Sequence, residues 1–225
     1  MKLPYSGYLR RPSGPIELYY ITDRRQFSGN AEEQRRQLLA KISECVAAGV
    51  DYIQLREKDL SIRALEELAN AAMRLLPKEG PTRLLINSRI DVALACGAHG
   101  VHLPANDLSA SEARAIFARA GHVQPVIAVS VHSIEELAYA EAHGADFAVF
   151  GPVFEKDGET TSDGLGKLEK ACHKPDRDVP VLALGGITLA NAQQCIQAGA
   201  DGIAAIRLFQ ETDAGGIATG LRGIV

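Results

Sequence analysis

The sequence predicts a single (β/α)8 barrel, and three observations carry that prediction. One short phrase recurs four times, as Gly49-Val50-Asp51-Tyr52-Ile53, Gly97-Ala98-His99-Gly100-Val101, Gly144-Ala145-Asp146-Phe147-Ala148 and Gly199-Ala200-Asp201-Gly202-Ile203. The copies stand about fifty residues apart, twice the length of a strand-plus-helix unit, so each marks every second strand of a repeating array. Between them, apolar stretches of strand length alternate with amphipathic runs at helical spacing. Finally, 225 residues at 46% hydrophobic and 23% charged suit one α/β barrel with a sizeable core, and no internal stretch reads as a linker. The expectation is therefore one domain over residues 1–225, with its chemistry at the carboxyl ends of the strands.

The elements follow in order. Residues 1–16 read as an extended lead-in, and Glu17 to Thr22, β-branched and aromatic, as the first strand. Ala31 to Ala48 places Leu38, Leu39, Ile42 and Val46 on one helical face and stops at Gly49 as a C-cap would. Further strands are expected at Tyr52–Leu55, Arg83–Ile86, Gly100–Leu103, Val126–Val129, Asp146–Phe150, Val181–Leu184 and Gly202–Ile206. Helices are expected at Ile62–Leu76, Ile90–Cys96, Ala110–Ala120, Ile134–His143, Lys167–Cys172 and Leu189–Ala198, with a last one from Thr212. Ser109 with Glu112, Ser133 with Glu136, and Thr188 read as N-terminal caps. The irregular stretch Glu155 to Gly166 is either a lid or phosphate clamp, or a plain surface loop.

Composition excludes several classes. A net charge of -4 leaves no electrostatic footprint for nucleic acid or an anionic membrane. No apolar run is long enough to span a bilayer, and the first residues lack the apolar core of a signal peptide, so a cytoplasmic setting is expected. Cys45, Cys96, Cys172 and Cys195 form no Cys-x-x-Cys pair and read as small core residues. A homodimer is the default expectation for assembly.

The strand ends then supply the candidate site. Gln54, Arg56 and Lys58 alternate at and beyond the second strand, projecting to one side into the barrel mouth. An arginine and a lysine there suit a diphosphate, unless they are surface residues paired with helix carboxylates. Glu57, pointing the other way, reads as structural. Asn87 and Ser88 close the third strand and Asp107 follows the fourth; Asp107 is either a magnesium ligand beside a bound diphosphate or a helix cap. Ser130 and His132 follow the fifth, where they can bind a heterocycle or move protons, although His132 can equally belong to the opening of the next helix. His99, His102, His122, His143 and His173 show no metal-ligand spacing and read as structural or surface residues. Gly185-Gly186 between the seventh strand and its helix, with Ile206 and Arg207 at the eighth strand's end, reads as a phosphate cradle or a tight turn.

Taken in order, Tyr19-Tyr20-Ile21-Thr22-Asp23, Gln54-Leu55-Arg56-Glu57-Lys58, Ile86-Asn87, Gly100-Val101-His102-Leu103, Phe150-Gly151-Pro152-Val153-Phe154 and Gly185-Gly186-Ile187 resemble the thiamine-phosphate synthase and TenI family of barrels. The resemblance covers nearly the whole chain and implies a thiamin-biosynthesis enzyme acting on phosphorylated thiazole and pyrimidine substrates. Synthases join hydroxymethylpyrimidine diphosphate to thiazole phosphate with magnesium; tautomerases isomerise thiazole carboxylate phosphate without metal. The chain departs from both patterns. Ser88 stands where synthases carry a second aspartate, and Glu155 to Thr161 replaces their Thr-Pro-Thr-Lys-like run. Pro152 stands where tautomerases carry their histidine, which would leave His132 or Glu155 as the base. A proline cannot carry a proton, whereas a hydroxyl or water can stand in a magnesium shell, so the synthase reaction is favoured over the tautomerase or a non-catalytic binding barrel. The synthase reading assigns Arg56, Lys58, Asn87, Ser130 and His132 to catalysis and Gln54, Gly151, Gly185, Gly186, Ile206 and Arg207 to substrate binding. It assigns Asp107 and Ser88 to the metal.

Overall fold

The computed structural model describes residues 15–155 and 163–224. Within them eight parallel strands close into a barrel in chain order: β1 (Glu17–Ile21), β2 (Tyr52–Leu55), β3 (Arg83–Asn87), β4 (Gly100–Leu103), β5 (Val126–Val131), β6 (Phe147–Phe150), β7 (Val181–Leu184) and β8 (Gly202–Ala205). Helices α1 (Ala31–Ala47), α2 (Ile62–Met73), α3 (Ile90–Cys96), α4 (Ala110–Arg119), α5 (Ile134–Ala142), α6 (Gly164–Cys172), α7 (Ala192–Gln197), α8 (Arg207–Gln210) and α9 (Ala214–Arg222) ring it. Most of the lead-in, and residues 156–162 of the polar loop after β6, lie outside the described residues. No helix is long and apolar enough to cross a membrane among the described residues.

The fourfold phrase has a mechanical role. Its glycines adopt left-handed backbone, with φ of 70° at Gly49, 66° at Gly97, 76° at Gly144 and 93° at Gly199, which ends each preceding helix and turns the chain back to the barrel. Its third residue then fastens the new strand to the previous one. Asp51 accepts the Leu18 N–H at 2.8 Å, Asp146 that of Ile127 at 2.6 Å, and Asp201 that of Val181 at 2.8 Å. His99 does the same for Leu84 through Nδ1 at 3.1 Å. An arginine backs each aspartate: Arg222, Arg114 and Arg177 respectively.

Period-two alternation and the strand register together stack the inward side chains in layers. Tyr52 and Phe147 fill the lower layer from even strands, where Gly100 and Gly202 complete it. Above them come Tyr19, Leu85, Ala128 and Leu182, then Gln54, His102, Val149 and Ala204. The glycines are needed because the chain approaches itself closely: a Cβ on Gly100 would lie 1.9 Å from the Val126 carbonyl oxygen. Gly100→Ala is accordingly expected to cost about 3 kcal/mol, the upper end for overpacking, read as a lower urea midpoint at unchanged slope.

Several expectations change. α6 starts at Gly164, inside the stretch read as irregular up to Gly166, and α2 stops at Met73, short of Leu76. The helix after β7 starts at Ala192, because Asn191 Oδ1 takes the Thr188 N–H at 2.8 Å and closes a turn first; Thr188 is not the cap. The four-residue α8 was not expected, and the last helix starts behind an Asp213 cap, which accepts from Gly216 N. β5 continues through Val131, so Ser130 belongs to the ladder, level with Val149. The cysteines are all free thiols; Cys45, Cys172 and Cys195 are buried and Cys96 half-buried.

Candidate active site

The carboxyl ends of the strands gather most of the residues singled out from sequence. Gln54, Asn87, Ser130, Gly151 and Ile206 share the inward parity of the barrel core, and Arg56 continues it one step above Gln54. Lys58 does not extend the alternation. The strand stops at Leu55, and Lys58 lies on the exposed turn that follows. Asp107 is exposed on the turn after β4, where it accepts from Leu108 N at 2.8 Å; Ser109 caps α4 with a full capping box, so the cap reading of Asp107 is overturned.

Glu57 explains how Arg56 is held. Its buried carboxylate takes the Thr22 hydroxyl at 2.6 Å, the Arg24 amide at 3.1 Å and the Arg24 guanidinium at 3.0 Å. Thr22 in turn accepts the Arg56 amide at 3.0 Å, so the ends of β1 and β2 are locked together directly below the Arg56 side chain. Burial raises the Glu57 pKa despite these donors, whereas the Arg24 guanidinium, bonded through two nitrogens, lowers that of exposed Asp59. Glu57→Ala would leave the Thr22 hydroxyl and the Arg24 amide without their acceptor in the interior, while the Arg24 guanidinium keeps Asp59. It is expected to cost about 1–3 kcal/mol, measured by denaturant unfolding.

Inside the mouth runs a hydrogen-bonded chain that sequence reasoning missed. Gln54 Nε2 donates to the Tyr19 hydroxyl at 3.0 Å, Tyr19 lies 3.0 Å from His102 Nδ1, and His102 Nε2 lies 2.7 Å from Ser130 Oγ. Tyr19 is fully buried, so its one hydrogen goes to Nδ1, and His102 then donates from Nε2 to Ser130. Burial first, and the nearby Arg56 cation second, push His102 down to about 3, which keeps it neutral. The chain therefore leaves the Ser130 hydroxyl hydrogen for a ligand in the mouth. Inward parity with Gly100 on β4 was the signal that could have drawn His102 out of the structural group.

His132 precedes the Ser133 cap of α5 and is exposed; its Nδ1 lies 2.5 Å from the Gly151 carbonyl and its amide donates to Glu136. Because a carbonyl only accepts, Nδ1 carries a hydrogen, and Nε2 has no bonded partner among the described residues. Ser88 has left-handed backbone, φ 59°, and its amide bonds the His102 carbonyl at 2.9 Å. Asn87 Nδ2 points to Ser88 Oγ at 3.4 Å.

The two glycines after β7 have φ of 108° and 58°, and a Cβ on Gly186 would fall 1.9 Å from the Glu155 carbonyl oxygen. Phe154 N–H bonds the Gly185 carbonyl at 3.1 Å, so the loops after β6 and β7 lie against each other. The unexpected α8 starts immediately past β8 with Arg207, whose side chain has no bonded partner among the described residues. Gln210 fixes α8 by a two-way amide contact with Asp23, at 2.9 and 3.0 Å. Glycine turn, strand end and short helix form the arrangement in which barrels hold phosphate groups.

The donor set is compatible with magnesium. Asp107, Ser88 and Asn87 offer only oxygen as ligand atoms, and among the described residues no three His, Cys, Asp or Glu side chains gather at one point. An ion here would depend on substrate oxygens and water for most of its shell, as magnesium sites do.

The sequence model of the family described as thiamine monophosphate synthase matches residues 18–209. The chain belongs to the thiamine monophosphate synthase family. A Geobacter sulfurreducens protein that carries the thiamine-phosphate synthase name provisionally is 43% identical over 85% of both chains. The thiamine-phosphate synthase of Halalkalibacterium halodurans is 40% identical over 85% of this chain and 86% of its own. Among solved structures, the thiamine phosphate pyrophosphorylase of Pyrococcus furiosus superposes with a TM-score of 0.75 at 32% identity, covering 93% of this chain and 95% of that one. Membership in the thiamine monophosphate synthase family bears out the resemblance carried by the motifs from Tyr19 to Ile187.

Proposed function

We propose that this chain is a thiamine-phosphate synthase, transferring the pyrimidinylmethyl group of hydroxymethylpyrimidine diphosphate to thiazole phosphate with release of diphosphate. The observation that supports this best is Arg56, a half-buried guanidinium with no bonded partner among the described residues, at the mouth above Gln54. A half-buried guanidinium without a counter-ion among the described residues leaves its donors open, and an incoming diphosphate would take them in pairs. Nearly all the relatives compared carry the synthase name.

In this reading Arg56, Lys58 and Asn87 hold the departing diphosphate while positive charge develops on the pyrimidine methyl carbon. The thiazole nitrogen then forms the new C–N bond, and the bond to the diphosphate oxygen breaks with its electron pair. Gln54 and Ser130 orient the heterocycles, Ser130 as a donor because His102 already donates to it. His132, held through Nδ1 by the Gly151 carbonyl, offers Nε2 at the rim, and Gly151, Gly185, Gly186, Ile206 and Arg207 hold the thiazole phosphate. Asp107 and Ser88 would hold magnesium, which supplies charge neutralisation to the leaving diphosphate when bound. Catalysis is then electrostatic positioning, with no covalent nucleophile.

Purified protein given magnesium, hydroxymethylpyrimidine diphosphate and thiazole phosphate is expected to form thiamine phosphate and diphosphate in equal amounts, and chelation of the metal to stop it. Turnover of thiazole carboxylate phosphate alone, with no coupling product, would assign the tautomerase reaction instead. Thiazole phosphate binding without either reaction would make the barrel a binding protein.

A further inference from the structure

The opposite end of the barrel carries a second cleft, of about 410 Å³, within the size range of small-molecule sites. Its floor is the lower aromatic layer, Tyr52 against Phe147 with ring centres 4.6 Å apart. Glu17 on β1 and Arg83 on β3 enter from the lowest inward layer, and they do not pair with each other. The Glu17 Oε2 atom is buried with no hydrogen-bond partner among the described residues, and Arg83 spends one guanidinium nitrogen on the Gly80 carbonyl at 2.8 Å. His99 stands on the Arg83 side. Its Nδ1 already accepts the Leu84 N–H, so its hydrogen is on Nε2, and burial together with the Arg83 charge keeps the ring neutral. Arg114 and Asp146, also at the cleft, neutralise each other at 2.9 Å.

The cleft is thus lined by one unsatisfied acceptor and by a cation, Arg83, with an N–H donor beside it, and the exposed Lys78 adds a further positive charge to its lining. We propose that it is a binding site for a small zwitterion of the free α-amino acid class. The ligand's ammonium group sits on Glu17 and its carboxylate on Arg83 and His99 Nε2, with its side chain over Tyr52 and Phe147. Burial and the charges of Asp51 and Asp201 raise Glu17 to about 7, the behaviour of a carboxyl lacking the cation it could take. A lone anion would leave the Glu17 oxygen unsatisfied, and a lone amine would leave the Arg83 guanidinium so.

The test is calorimetric titration of the intact protein with each of the twenty free amino acids, with acetate and methylammonium as half-ligands. At least one amino acid is expected to bind at millimolar concentration or below, at least about tenfold tighter than either half-ligand. Glu17→Gln and Arg83→Met should each weaken it by about tenfold or more while thiamine phosphate formation stays unchanged. Titrations near pH 7 in two buffers of different ionisation heat should show net proton release, because the ammonium displaces the proton Glu17 shares. This last reading needs only the wild-type protein and stands if a variant does not fold. No binding by any amino acid, equal binding of acetate alone, or binding without proton release would overturn the proposal.

Discussion

Arg56→Ala is expected to lower kcat for thiamine phosphate formation by about 10²–10³-fold, while thiazole phosphate binding measured by calorimetry changes little. The size follows from where the side chain acts. Charge develops on the leaving diphosphate in the transition state, and a guanidinium can meet two of its oxygens at once in a site where water screens poorly. Lys58→Ala should cost less, because its ammonium is an exposed point charge on a turn and is not fixed by the Thr22–Glu57–Arg24 lock. Loss of thiazole phosphate binding in Arg56→Ala at unchanged kcat would place Arg56 in the phosphate subsite and remove it from the diphosphate site. A split between kcat and KM thus reads the position of the charge directly.

The barrel was legible because its repeat is enforced by backbone geometry. A left-handed glycine and a side chain that captures an N–H of the preceding strand recur wherever an even strand begins, so Gly49, Gly97, Gly144 and Gly199 announced β2, β4, β6 and β8. Inward parity likewise exposed Gln54 and Arg56. What stayed hidden depends on distances between strands that sequence does not contain. His102 looked like any buried histidine until the register brought β4 beside β5 and set its ring between Tyr19 and Ser130. The short α8 escaped because four residues show no periodicity, and Lys58 was misplaced because a strand's alternation ends with its last ladder bond at Leu55. Asp107 was equivocal for the same local reason: a carboxylate just before a serine-capped helix looks alike as cap or ligand.

Two interior groups are expected to give opposing acid responses that a pair of variants separates. His102 has its pKa lowered from 6.5 to about 3 on folding, so within that window the unfolded chain takes a proton that the folded one refuses. Its contribution to stability is complete above about pH 6.5 and is lost as pH falls, at about 1.4 kcal/mol per pH unit. Glu17 is raised from 4.5 to about 7, so there the folded chain keeps a proton that the unfolded one releases. Its contribution is complete below 4.5 and is lost as pH rises through about 7. Between 6.5 and 4.5 the two slopes have equal size and opposite sign, and their sum is close to zero. In urea unfolding, Glu17→Gln should therefore fall steadily further below wild type as pH drops from about 7 to about 4.5, because every other titrating group is common to both and cancels in the difference. His102→Gln starts lower at neutral pH, since Tyr19 and Ser130 lose a matched partner, and its deficit should close as pH falls. Parallel curves for wild type and His102→Gln would mean that His102 titrates normally, and that the Tyr19–His102–Ser130 chain does not hold the ring neutral.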